Sequence, residues 1–211
     1  MVEVVWSIGD RCLLYGMSLD VFVFIILLFF SNIYLLKGDF NNALVFSPSL
    51  VRSGEWWRIF THPFVHVSWY HLLLDAGAFF LLYKELEHEK IIKKLFYVVV
   101  CALFSLIAAL FASPVIYTSG LCGLSGIAHG LMAVSALEMM RQKKNFRMGL
   151  IFFLLVVTKS IYETVQGDVL FSFLHMGLCG TPLAVCHAGG VLGGIAAYSF
   201  LQGRRFLTVC F

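Results

Sequence analysis

Six apolar runs alternate with short polar segments, at roughly 19–36, 69–84, 94–116, 125–140, 147–166 and 184–202. A helix of about 20 apolar residues crosses the hydrocarbon core of a bilayer. It also satisfies its own backbone polar groups, as lipid requires. The pattern therefore predicts an all-α membrane protein, a bundle of six transmembrane helices. The fourth run is short for a bilayer helix, and the second ends in a mixed charge run. One helical domain over 19–202 accounts for all six, between an N-terminal segment, 1–18, and a C-terminal tail, 203–211. No internal repeat is evident, which argues against a transporter built on repeated halves. Residues 1–20 carry Glu3, Asp10, Arg11 and Asp20, and no small-residue cleavage site follows the first run. That run is expected to be retained rather than removed as a signal.

Composition agrees. Of 211 residues, 60% are hydrophobic and only 13% charged. Arg11, Lys84, Lys90, Lys93, Lys94, Arg141, Lys143, Lys144, Arg147, Arg204 and Arg205 fall on one side of the predicted topology, eleven of the fifteen basic residues. Lys37, Arg52 and Arg58 fall on the other, and Lys159 lies within the fifth run. The positive-inside rule then places both termini in the cytoplasm. The net charge of +3 is this topology signal. The basic groups cluster at membrane edges, so no nucleic-acid partner is expected.

The chemistry lies in two of the runs. Ser125 sits in Gly123-Leu124-Ser125-Gly126, and His187 precedes a glycine-rich stretch, Gly189-Gly190-Val191-Leu192-Gly193-Gly194. Polar residues of this kind are costly in lipid and mark function. Ser125 precedes Arg141 by sixteen residues and His187 precedes Arg204 by seventeen. At 1.5 Å per residue, these are roughly 24 and 26 Å from the inner interface. Serine and histidine thus reach nearly equal depth near the outer surface, as a hydrogen bond between helices would need. An outward-open cavity would bring water, lined by the loop 117–124. The pair suggests a hydrolase working inside the membrane. Gly126 and Gly130, and Gly190 and Gly194, also form small-xxx-small faces that let helices approach closely.

On these residues the chain resembles the rhomboid intramembrane serine proteases. The matching features are GLSG at 123–126, His187 with Gly190 and Gly194, and Trp57-Arg58 before His66 and His71, in the same order. It is more narrowly similar to the rhombosortase branch, through the run from Trp57 to His71, the histidine in GLSGIAHG, and Lys159 with Glu163. The resemblance implies Ser125 as nucleophile and His187 as general base, oriented by helix packing rather than a carboxylate. It implies an oxyanion hole formed by His71 and the Ser125 N–H, with Gly123 and Leu124 in the supporting turn. The family pattern has asparagine four residues after this histidine; here it is Asp75, a candidate for orienting His71. It implies, finally, exported substrates with a C-terminal Gly-Gly motif, a membrane helix and a basic tail. Cleavage would occur at the outer face of a bacterial inner membrane.

His129, one turn after Ser125, is a candidate base. By the resemblance it is instead a support packed on the catalytic histidine. Lys159 and Glu163, at i, i+4, are expected to pair, and are candidates for holding the substrate's cleavage region. Arg58 and Glu87 are structural candidates. Trp56, Trp57, Trp69 and Tyr70 fit an interfacial aromatic belt. His62, His66, His88 and His175 read as surface or loop residues. The six cysteines lack metal-ligand spacing and no H-E-x-x-H motif occurs, so neither a metal nor another cofactor is expected. Cys122 and Cys179 fall on the outer side, either as a disulfide or as small buried hydrophobes.

Overall fold

The computed structural model describes residues 18–86, 89–170, 172–175, 178–181 and 183–209. Segment 1–17, Glu87, His88 and Cys210 lie outside the described residues, as do the side chains of His175, Arg204 and Arg205.

Six longer helices follow the apolar runs. They are α1 (Leu19–Ser31), α4 (Trp69–Glu85), α5 (Ile91–Ala112), α7 (Ser125–Arg141), α8 (Phe146–Gln166) and α9 (Val185–Val209). Short helices α2 (Pro48–Arg52), α3 (Arg58–Thr61) and α6 (Ile116–Ser119) lie in the connections. The third run ends at Ala112 because Pro114 follows. The residue before proline avoids the helical region, and Ser113 is extended. Helix α5 begins earlier than its apolar run, at Ile91, and its buried Lys94 pairs with Asp20 of α1. Tyr83 of α4 donates to the same carboxylate at 2.6 Å, tying three helices at one end. Helix α9 continues past 202, into the segment expected as a tail.

Among the described residues, three helical stretches are long and apolar enough to cross a membrane: Leu19–Lys37, Ile91–Ala112 and Phe146–Gln166. A fourth is counted if Arg58–Phe64 and Trp69–Glu85, bent by 93°, form one span. The expected six are not established by length and apolarity. Helices α4 and α7 have only 17 residues each, and glycine, histidine and glutamine dilute α9. Large apolar side chains remain exposed around the bundle, among them Phe30, Leu73, Leu81, Ile92, Phe111, Leu155 and Val165. Such a surface suits lipid rather than water.

Glycines bring the central helices together. A Cβ on Gly190 would strike the Gly126 carbonyl, and one on Gly194 the Gly130 carbonyl. These faces join α9 to α7. Gly189 and Gly193 serve a second face. A Cβ there would lie 2.5 Å from the Phe104 carbonyl oxygen and 2.9 Å from that of Val100, respectively. The doubled glycines of the α9 motif therefore fit this helix between α5 and α7.

The segment before α4 is pinned by side chains. Asn32 donates to the Phe64 carbonyl at 2.7 Å and accepts the His66 N–H at 2.8 Å. Arg58, only 5% exposed, donates to the Asn42 and Val45 carbonyls at 2.6 and 2.7 Å. It also pairs with Glu55, as suits a structural residue. Phe46 and Leu121 exchange backbone hydrogen bonds at 3.0 Å, which fixes the loop leading to α7.

Candidate active site

The turn before α7 needs its glycine. Gly123 adopts φ +97°, a left-handed conformation that side chains resist. A Cβ there would also lie 2.7 Å from Asp75 Oδ2 and 2.9 Å from His71 Nε2. The Gly123 N–H donates to the His62 carbonyl at 3.0 Å. Leu124 is 1% exposed and anchors the turn in the core. Ser125 thus becomes the first residue of α7. On α4, Ser68 caps the helix that carries His71 and Asp75, its Oγ accepting the His71 N–H at 3.1 Å.

Ser125, His71, Asp75, His129, Lys159, Glu163 and His187 all line one cavity of about 310 Å³. Elements far apart in the chain, α4, α7, α8 and α9, deliver them to it. Cys122, Cys179 and Cys186 line it as well. All three are free cysteines in this structure. Burial, with a smaller contribution from the Asp75 charge, pushes the Cys122 thiol up to about 12. It therefore stays protonated and poorly nucleophilic at neutral pH.

Asp75 Oδ2 accepts the Ser125 N–H at 3.0 Å. This N–H was expected to face an oxyanion. The same oxygen lies 3.2 Å from His71 Nε2 and 3.4 Å from His66 Nε2. Asp75 therefore touches both the Ser125 N–H and the His71 ring. His66 and His62, expected as surface or loop residues, are buried at 0% and 4% exposure. Their segment folds inward under α4 because Asn32 and Arg58 hold it there.

The second cluster lies on α7, α8 and α9. Glu163, fully buried, divides its two oxygens. Oε1 accepts from Lys159 Nζ and from the Leu170 N–H, both at 2.7 Å. Oε2 lies 2.7 Å from His187 Nδ1. Packing therefore does not orient His187 alone, as the resemblance implied; a carboxylate touches its ring. The expected Lys159–Glu163 pair is present, and this third partner is the contact that sequence reasoning missed.

His129 stacks flat on His187, with ring centroids 3.9 Å apart and planes 10° apart. Its Nδ1 lies 2.8 Å from the Ser125 carbonyl and its Nε2 2.8 Å from Lys159 Nζ. A carbonyl only accepts and an ammonium only donates. His129 is therefore protonated at Nδ1, and its Nε2 lone pair is occupied. Donor atoms of His129, Glu163 and His187 come within 4.8 Å of one another, close enough to hold a metal ion. The Lys159 ammonium already bonds His129 and Glu163 there. Among the described residues, no hydrogen bond joins Ser125 Oγ to His187; Ser125 Oγ lies 3.9 Å from Cys186 Sγ.

A Rhomboid domain pattern matches residues 53–204, from just before α3 into α9. The chain belongs to the rhomboid family. Rhomboids are intramembrane serine proteases, which accords with the apolar helices and the serine and histidine on one cavity. Helix α1 precedes the matched segment. Among curated proteins, none matches the chain.

Proposed function

We propose that this rhomboid is an intramembrane serine endopeptidase with Ser125 as nucleophile and His187 as general base. One observation carries the assignment of the base. Both ring nitrogens of His129 are engaged, whereas among the described residues His187 is bonded through Nδ1 alone, which leaves Nε2 for the serine. Ser125 Oγ attacks the scissile carbonyl carbon as its proton passes to His187 Nε2, and the carbonyl electron pair moves to oxygen. His71 donates to that oxyanion. The C–N bond then breaks, its electron pair going to the amine nitrogen, which takes the proton from His187. A water, deprotonated in turn by His187, releases the acyl group and restores Ser125.

The six longer helices would all cross a bacterial inner membrane, with both termini in the cytoplasm and the cavity open to the outer side. By resemblance to rhombosortases, the substrates are exported proteins bearing a C-terminal Gly-Gly motif, a membrane helix and a basic tail. Two glycines weaken a helix by about 1 kcal/mol each, so the cleavage region unwinds readily. A cavity of about 310 Å³ favours small residues beside the cut.

A second reading is a rhomboid-like protein that binds membrane helices without cutting them. The Asp75 contact to the Ser125 N–H favours it, because that donor is occupied at rest. A fluorophosphonate probe separates the two. The protease reading expects labelling that is lost in Ser125→Ala and in His187→Ala and partly kept in His129→Ala. An unlabelled parent protein supports the binding reading. Labelling that survives His187→Ala but not His129→Ala would make His129 the base.

A further inference from the structure

We propose that Glu163 is the orienting carboxylate of His187, so that this chain works with a serine–histidine–glutamate triad. The inference rests on the protease reading above and adds a positioning residue to it. The hydrogen bonds of Glu163 define its state. Lys159 Nζ and the Leu170 N–H can only donate, and both reach Oε1 at 2.7 Å. The Lys159 ammonium 2.7 Å from Oε1 favours the ionised carboxylate, and an ionised carboxylate only accepts. His187 Nδ1, 2.7 Å from Oε2, must then carry its proton and donate. That tautomer leaves the lone pair on Nε2 of a ring that lines the cavity.

The division of the two oxygens separates this role from a structural ion pair. Lys159 and the backbone need only Oε1. Oε2 serves His187. The Leu170 N–H, from the turn after α8, locks the carboxylate against rotation. Lys159, one turn before Glu163 on α8, offsets its charge so that the group can stay ionised while fully buried. On the opposite ring face, His129 stacks at 3.9 Å. The imidazole is thus fixed in plane by a hydrogen bond and out of plane by a ring. When His187 takes the serine proton it becomes a cation beside an existing anion, and Glu163 keeps its charge throughout. The groups facing this pair are Lys159 and His129.

The test combines kinetics with the tautomer of one ring. Glu163→Gln should lower kcat by about 100-fold or more with little change in KM, because an amide does not enforce the tautomer. Glu163→Asp keeps the charge but is one methylene short, and should recover part of the rate. In 15N-histidine NMR of the parent protein, with His187→Ala used for assignment, His187 should be protonated at Nδ1. This measurement does not depend on whether the Glu163 variants fold. Parent His187 protonated at Nε2, or Glu163→Gln turning over within twofold of the parent, overturns the triad. If Ser125→Ala still cleaves substrate, the protease reading itself fails, an outcome distinct from failure of the triad.

Discussion

Asp75 is the most informative position to perturb, because a carboxylate stands beside the nucleophile where the family pattern has an amide. Its Oδ2 accepts the Ser125 N–H at 3.0 Å and lies 3.2 Å from His71 Nε2. Asp75 is 8% exposed, and His66, 3.4 Å away, is wholly buried. Two accounts compete. As an anchor, the carboxylate fixes the first turn of α7 and the ring of His71. As a competitor, it withholds the Ser125 N–H from the oxyanion. A hydrogen bond to a charged group contributes about 1.5–3 kcal/mol, and a neutral one about 0.5–1.5. Asp75→Asn keeps an acceptor for the Ser125 N–H but loses the charge, a change of about 1 kcal/mol, or roughly fivefold in rate. Asp75→Ala strands the N–H and releases His71, about 1–3 kcal/mol, or roughly 5- to 150-fold. The anchoring account expects both variants to be slower, Ala more so, with the melting temperature falling in the same order. The assay is kcat on a single substrate in proteoliposomes. An Asp75→Asn protein faster than the parent refutes anchoring and makes the carboxylate a brake.

Three further outcomes follow from the geometry. Gly190→Ala should destabilise the bundle by about 1–3 kcal/mol through overpacking, since its Cβ meets the Gly126 backbone. Gly77→Ala, with nothing within 4 Å of its Cβ, should not, and thermal denaturation of the two in one detergent checks the contrast. Chelator treatment should leave cleavage unchanged, because Lys159 already occupies the acceptors of His129 and Glu163; loss restored by one added metal would make the cluster a metal centre. A reporter fused after Lys144 should read cytoplasmic and one fused near Asp168 external, and opposite readings would refute the orientation.

The helices were legible in the sequence because lipid demands uninterrupted apolar runs, and such runs announce themselves. The predicted runs at 125–140 and 147–166 became Ser125–Arg141 and Phe146–Gln166. The number of membrane crossings was less legible, because apolarity falls where helices pack on one another through glycine. The glycine faces of α7 and α9 were each readable from their four-residue spacing, though not that they meet. The second set, Gly189 and Gly193, was not assigned to α5, since spacing along one helix does not name its neighbour. The inward fold of 58–66 was hidden for a related reason. Asn32 and Phe64 meet across a loop, and their contact has no local period. His62 and His66 accordingly read as surface residues.

The candidate site divides along the same line. Ser125 and His187 could be matched in depth by arithmetic, because each lies a countable number of residues before a basic residue on its own helix. Lys159 and Glu163 could be paired because a turn of helix separates them. What spacing could not supply was the partner of Glu163 on another helix. A signal for it did exist. A carboxylate has about four acceptor sites, and a lysine one turn away fills one. Deep in an apolar bundle, water does not satisfy the others, so a further donor from a facing helix is demanded. The serine on α7 already calls for a histidine at its depth. If one nitrogen of that histidine serves the serine, as proposed, the other is left to offer, and Glu163 lies 2.7 Å from it. Counting the acceptors of a buried charge, rather than only finding its nearest opposite charge, is therefore the step that leads from the sequence toward the triad.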